Sequence, residues 1–343
     1  AVLLAGAALA GALGLNWCLY RYFDAALDVA VLLLLIAALF VANLAWGYFF
    51  EVRKGRALVA RFGQYVAPEL VAQMADNPDR YSMDGESREL TVLFADVRGF
   101  TAISEQMTPQ ELREYINLYL TAMSEDIRDS HGGTLDKYIG DAVMAFWGAP
   151  VAFPDHAGRA VASALLMQRS AGRLNQQFQA RGWPPLQIGI GLNSGLMHVG
   201  DMGSRIRRAY TVMGDAVNLG ARLEGITKVY GVGIAVSEFT RAQAPQFAYR
   251  ELDRVRVKGK TEPVAIFEPR CLLAEADAGE LALLARWSRV LELLRALDWD
   301  GAEAILSELP DDGLRRLYAA RLRQYRETPP GEDWDGVTNF QTK

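Results

Sequence analysis

A chain of 343 residues with 51% hydrophobic content has room for one or two folded domains and for apolar segments besides. Its net charge of −5, without a sustained basic tract beyond a cluster at 53–56, argues against a nucleic-acid partner. Two cysteines, Cys18 and Cys271, supply neither a disulfide framework nor a metal cluster, and His131, His156 and His198 lack the spacing of zinc ligands.

Residues 1–50 hold three charges, Arg21, Asp24 and Asp28, grouped between two apolar runs. The second run, Val29 to Phe50, has 22 residues without a charge, about 33 Å as a helix and enough to cross a bilayer. The first run, 1–20, is equally apolar and lacks the basic start of a signal peptide. Together they predict two transmembrane helices, a hairpin over 1–50. Lys and Arg follow the second run at 53–56 while the loop between the runs is acidic, which predicts a multi-pass protein of the cell membrane with everything beyond residue 51 in the cytoplasm. The chain begins with Ala, so it is expected to be the end of a longer protein.

Within the linker 51–87, Leu58, Val59, Phe62, Val66, Leu70, Val71 and Met74 recur at helical spacing, interrupted by Pro68. They predict an amphipathic juxtamembrane helix that packs on the next domain or pairs with its twin in a dimer. The polar run "DNPDRYSMDGESRE" sets a boundary near residue 85. From 88 to 270 strands and helices alternate. A strand at 89–96 is followed by a helix from about Thr108, an N-cap with Glu111 three residues on, to about 129. "TLDKYIGDAVMAFWG" reads as two short strands around a Gly140-Asp141 turn. A long helix at 155–181, a strand in "LQIGIGLNSGLMHVG", a helix at 215–229 and strands near 232–236, 248–257 and 263–268 complete the domain. The βαββαβ order predicts an α+β domain of ferredoxin-like type. The tail, 271–343, shows helical spacing at Leu281, Leu284, Trp287, Val290, Leu291 and Leu294. One helical hairpin of this kind cannot stand alone, so it is expected to pack on the preceding domain or on a partner.

The run "ELTVLFADVRGFT", 89–101, is apolar on both faces, as a buried central strand is, and ends in a carboxylate. Buried there, Asp96 is costly unless something pairs with it. Asp141 would be that neighbour if the hairpin strand lies beside 89–96, and two carboxylates meeting at a strand end and a turn suit Mg²⁺. Taken singly, Asp96 reads as well as a turn cap and Asp141 as a favourable hairpin residue; the pair carries the signal. In "YTVMGDAVNLGARLE", Asn218 and Arg222 stand at i and i+4 on one helix face. An amide and a rigid guanidinium fork aimed the same way can follow charge growing on a phosphoryl oxygen.

Four blocks in order, "FADVRGFT", "KYIGDAVMAF", "YTVMGDAVNLGARLE" and "VKGKTEPV", resemble the class III nucleotidyl cyclase catalytic domain over about 180 residues. The resemblance implies two divalent metal ions per site, Mg²⁺ or Mn²⁺, held by Asp96 and Asp141, and conversion of a nucleoside triphosphate to its 3′,5′-cyclic monophosphate. By the family pattern Asn218 orients the ribose, Arg222 stabilises charge at the α-phosphate, and Lys258, with Lys260 close by, contacts the terminal phosphates. Backbone amides at Gly99, Phe100 and Thr101 would cradle the phosphates. The base-reading positions map to Lys137 and Thr211. Lysine has donors only, so it suits the acceptor N1 of adenine and opposes the N1 proton of guanine, which makes ATP the expected substrate. Thr211 can donate or accept and decides little by itself.

The family divides its residues between subunits, metal aspartates from one and base-reading and transition-state residues from the other. This chain carries both sets, so a homodimer with two complete sites is expected. The alternatives are a guanylyl cyclase of the same family and a catalytically silent nucleotide-binding module. By analogy with membrane-bound bacterial cyclases, a sensor domain is expected upstream in the full-length chain.

Overall fold

The computed structural model describes residues 2–24, 30, 31, 33–46, 85–204, 206, 208–257, 261–331 and 333–340. The described residues fall into two units, one up to residue 46 and one from residue 85.

The first unit is helical. Helix α1, Val2–Phe23, covers the first apolar run, and the second run is helical at 33–46, about 21 Å at the α-helical rise. The membrane hairpin expected from the sequence is not supported: among the described residues no helix is long and apolar enough to cross a membrane. Residues 29, 32 and 47–50 of the expected second span, and the whole expected juxtamembrane helix at 53–74, lie outside the described residues.

The second unit follows the expected βαββαβ order and extends it. Strand β1, Glu86–Val97, leads through a short helix α2, Phe100–Glu105, to α3, Pro109–Ser124, which runs into a π-turn at Glu125–Asp129. Thr108 caps α3 as the sequence predicts: its hydroxyl accepts from the Glu111 N–H at 3.3 Å and the Glu111 carboxylate accepts from the Thr108 N–H at 2.9 Å. Strands β2, Thr134–Ile139, and β3, Ala142–Trp147, form the hairpin, and α4, His156–Ala180, crosses back to β4, Ile188–Gly203. The spatial order β2-β3-β1-β4 with antiparallel neighbours is the ferredoxin-like arrangement. A strand that the sequence reading did not separate, β5, Arg208–Met213, folds back on β4 as a hairpin arm. Helix α5, Asp215–Tyr230, then leads to β6, Ile234–Ser237, α6, Glu238–Gln243, β7, Phe247–Arg256, and β8, Val264–Leu272.

β1 is buried on both faces because each carries its own layer. Leu93, Ala95 and Val97 join the core formed with α3 and α4. Val92 and Phe94 meet α5 so closely that a Cβ on Gly220 would lie 2.8 Å from Val92 Cγ1. The tail adds α7, Ala278–Arg295, α8, Trp299–Ser307, α9, Gly313–Glu327, and a short strand β9, Thr338–Asn339. Of the two expected alternatives, the tail packs on the preceding domain. The Trp287 indole donates to the Glu251 carbonyl at 2.6 Å, the Tyr318 hydroxyl to the Leu252 carbonyl at 2.6 Å, and Arg321 pairs with buried Asp253 at 2.6 Å.

Candidate active site

Strand parity sets the first functional side chain. Val92 and Phe94 face α5, and Asp96 continues that face where the strand ends. Opposite it, the β2–β3 turn is made by Gly140 at φ +69°, a left-handed conformation that costs glycine little, and Asp141 follows at the tip. Asp141 Oδ2 accepts from the Val97 N–H at 3.3 Å, and its carboxyl lies within hydrogen-bonding reach of Asp96. The two acids therefore converge, as the pairing of β1 with β3 requires.

The closeness shows in the protonation of Asp96. Burial, then the hydrogen bond and charge of Asp141, push the Asp96 carboxyl up to about 6. A third acid that the sequence reading passed over, Glu224 on α5, is pushed up to about 7 by burial and by the charge of Asp96, against the pull of Arg98. Burial holds the Arg98 guanidinium below its usual range, and it donates to the Val232 carbonyl. Among the described residues no three His, Cys, Asp or Glu side chains could hold a metal together, so Glu224 is a charged neighbour of the pair and not a third ligand. Two half-buried carboxyls side by side, one of them raised by the other, fit a divalent cation, which would offset the repulsion between them.

Helix α5 brings the next two residues. It can lie against the sheet because Gly191 and Gly220 have no side chains: a Cβ on Gly191 would fall 2.1 Å from the Glu224 backbone nitrogen. Asn218 is exposed and Arg222 half-buried on this helix, and among the described residues neither side chain is taken up by a hydrogen bond or ion pair. Beyond Val97 the chain turns at Gly99, φ +68°, into α2, so Phe100 and Thr101 open a helix directly after the aspartate. Lys258 and Lys260 lie outside the described residues.

The two positions expected to read the base come together in the second corner. Lys137 on β2 donates from Nζ to Thr211 Oγ1 on β5 at 3.0 Å, and the Thr211 hydroxyl donates to Asp136 Oδ2 at 2.5 Å. Asp136, also passed over in the sequence, is raised above its ordinary range by burial, against the Thr211 hydroxyl and the Lys137 ammonium. The signal for Glu224 and Asp136 was faint: each is one more charge inside a motif, and only its burial marks it.

Residues 83–267, which take in both corners, match the family model of the adenylate and guanylate cyclase catalytic domain. The chain belongs to that family. Its cyclase domain is 39% identical over 191 residues to an adenylate cyclase of Anabaena cylindrica, covering 53% of this chain and 37% of that one. It is 33% identical over 218 residues to adenylate cyclase 1 of Rhizobium meliloti, covering 63% of this chain and 33% of that one. This chain thus spans about a third of the length of these curated relatives. Among solved structures, the cyclase domain is similar to the adenylyl cyclase CyaB from P. aeruginosa, at 34% identity and a TM-score of 0.53 over 57% of this chain and 100% of that one. The guanylyl cyclase Cya2 is similar at 36% identity and a TM-score of 0.51, over 56% of this chain and 97% of that one.

Proposed function

We propose that this protein is an adenylate cyclase, converting ATP to 3′,5′-cyclic AMP and pyrophosphate at sites shared between two copies of the chain. The observation that carries the choice of ATP is the Lys137 ammonium 3.0 Å from Thr211 Oγ1, a donor beside an acceptor, the complement of adenine N1 and its amino group. Similarity to a guanylyl cyclase structure leaves the base open, and the lysine argues for adenine.

The 3′-oxygen attacks the α-phosphorus in line with the leaving group. The O3′–Pα bond forms, the bond from Pα to the oxygen of the departing pyrophosphate breaks, and the 3′-hydroxyl proton passes to water. Asp96 and Asp141 would hold the divalent cations, two per site, which when bound supply Lewis-acid stabilisation to the triphosphate and the 3′-oxygen. Asn218 orients the ribose, and Arg222, without a hydrogen-bond or ion-pair partner among the described residues, meets the charge that grows on the α-phosphoryl oxygens. Backbone N–H groups at Gly99, Phe100 and Thr101 and the side chain of Lys258 hold the remaining phosphates. Much of the acceleration comes from this positioning.

A homodimer is supported by apolar side chains exposed on the two hairpins, Tyr138, Ile139, Leu196, Ile206 and Met213, Ile206 being 98% exposed. Attachment of the N-terminal unit to the cell membrane, with the cyclase domain in the cytoplasm, is supported by the exposed Leu9, Leu13, Leu15 and Trp17 of α1 and by the charge-free run at 29–50. Recovery of the full chain in a carbonate-washed membrane fraction is the expected result; recovery in the supernatant would remove this element.

The reading is tested by incubating the detergent-purified chain with Mn²⁺ or Mg²⁺ and either ATP or GTP. Cyclic AMP from ATP is expected. Product from GTP alone would make it a guanylate cyclase, and no product from either would make it a silent nucleotide-binding module.

A further inference from the structure

Strand β2 contains an irregularity that the cyclase reading does not use. Its ladder with β3 pairs Leu135 with Ala145 and then Lys137 with Met144, so Asp136 is an extra residue, a β-bulge. Successive side chains of a regular strand point to opposite faces. The bulge breaks that alternation, and Asp136 and Lys137, adjacent in sequence, both reach Thr211 on β5. The Asp136 side chain is fully buried, whereas that of Lys137 is 43% exposed. Asp136 Oδ1 lies 3.0 Å from Lys137 Nζ at an angle outside hydrogen-bond geometry, a contact of charges.

We propose that Asp136 is the positioning residue that sets the preference for adenine, by holding the Thr211 hydroxyl as a hydrogen-bond acceptor. The inference rests on the adenylate cyclase reading and deepens it. A hydroxyl has one proton and two lone pairs, and a carboxylate only accepts. With its proton committed to Asp136 Oδ2, Thr211 faces the site with lone pairs alone. One accepts from Lys137 Nζ, and the other is left for the amino group of adenine. Lys137 has three donors and spends one on Thr211, so even with Asp136 Oδ1 3.0 Å from its ammonium a donor is left for adenine N1. A 6-oxopurine in the same pose meets two mismatches: its N1 proton faces the ammonium and its O6 faces the lone pair of Thr211. Without Asp136 the threonine hydroxyl can turn and donate to O6. The ambiguity of a threonine at this position is thus resolved by the residue before the lysine.

The test compares kcat/KM for ATP and inosine triphosphate, which carries the 6-oxo group and N1 proton without the 2-amino group of guanine. The full chain and its Asp136→Asn variant are assayed side by side. Wild type is expected to favour ATP, and Asp136→Asn to lower the ATP:ITP ratio by about tenfold or more, the worth of one polar mismatch, chiefly through a gain with ITP. A variant slowed equally with both substrates, its ratio within about twofold of wild type, overturns the inference and makes Asp136 merely structural. Should Asp136→Asn fail to fold, Thr211→Ser, which keeps the hydroxyl, is expected to hold the ratio and Thr211→Val to lower it; an unchanged ratio in Thr211→Val overturns the inference as well. A wild-type chain that makes no cyclic AMP sinks the adenylate cyclase reading and this inference with it. Cyclic AMP from wild type with an unchanged ratio in Asp136→Asn sinks the inference alone.

Discussion

At the end of β1, Asp96 and Asp141 face each other with Glu224 nearby, and the Arg98 guanidinium beside them serves Glu224 and a backbone carbonyl. At the bulge in β2, Asp136, Lys137 and Thr211 are paired with one another: acid, ammonium and hydroxyl within 3.0 Å. The difference separates two ways of building a site. The first corner gathers like charges and stays electrostatically incomplete until something positive arrives; the second neutralises itself and holds its geometry in advance of a ligand. The proposed reaction uses both, one corner to take up cations and one to present a fixed pattern of donors and acceptors.

The sharpest way to break this contrast is to remove one charge from each corner. Asp96→Asn is expected to lower cyclase activity by about 10³-fold or more, from the loss of a ligand and of charge stabilisation in the transition state. The same change is expected to raise the melting temperature of the metal-free protein at pH 7, because it removes a carboxylate held at about 6. Lys137→Ala is expected to lower the melting temperature, through a loss of about 1–2 kcal/mol of stability, since it leaves the buried Asp136 without its counter-charge. Thermal unfolding in EDTA beside a cyclase assay reads both; two shifts of the same sign would erase the distinction.

The placement of α5 between the corners rests on close approach. Gly191→Ala forces a methyl against the Glu224 backbone and is expected to cost about 1–3 kcal/mol in chemical denaturation. Gly225→Ala on the same helix meets nothing within 4 Å and is expected to stabilise by about 0.5–1 kcal/mol. Equal effects would mean that helix contact with the sheet is not what the glycines serve.

The smallest expected effect is a pH dependence. Asp96 is raised from 3.8 to about 6 and Glu224 from 4.5 to about 7, so the folded metal-free protein binds these protons more tightly than the unfolded chain. Their contribution to stability is complete below about pH 4 and is lost as pH rises to about 7. Allowing for solvent access, the loss is on the order of 1 kcal/mol. Urea titrations across this range should show the decline in EDTA, and Mg²⁺ should flatten it. A decline untouched by Mg²⁺ would place the raised groups away from any cation.

The sequence showed most of the scaffold because its signals are local. Thr108 and Glu111 announce a helix start, Gly140-Asp141 announces a turn, and the apolar run before Asp96 can only be a strand buried on both faces. Strand β5 was hidden because Arg208 to Met213 is short and runs straight into the helix motif that drew attention, and its partner β4 continues past its expected end. Asp136 and Glu224 were hidden for another reason. A charge inside a motif looks the same whether solvated or buried, and what distinguishes these two is a bulge in one strand and the close seating of one helix, both products of the assembled sheet. The expected membrane hairpin rested on hydropathy alone and found no helix to support it among the described residues.

In the proposed dimer the carboxylate corner of one copy works with Lys137, Asn218 and Arg222 of the other. Asp96→Ala and Arg222→Ala should each be inactive as full-length chains. Co-expressed and isolated as mixed dimers, they should regain about half of wild-type activity, because each mixed dimer holds one intact site of two. Mixed dimers verified by differential tags that remain inactive would contradict the account.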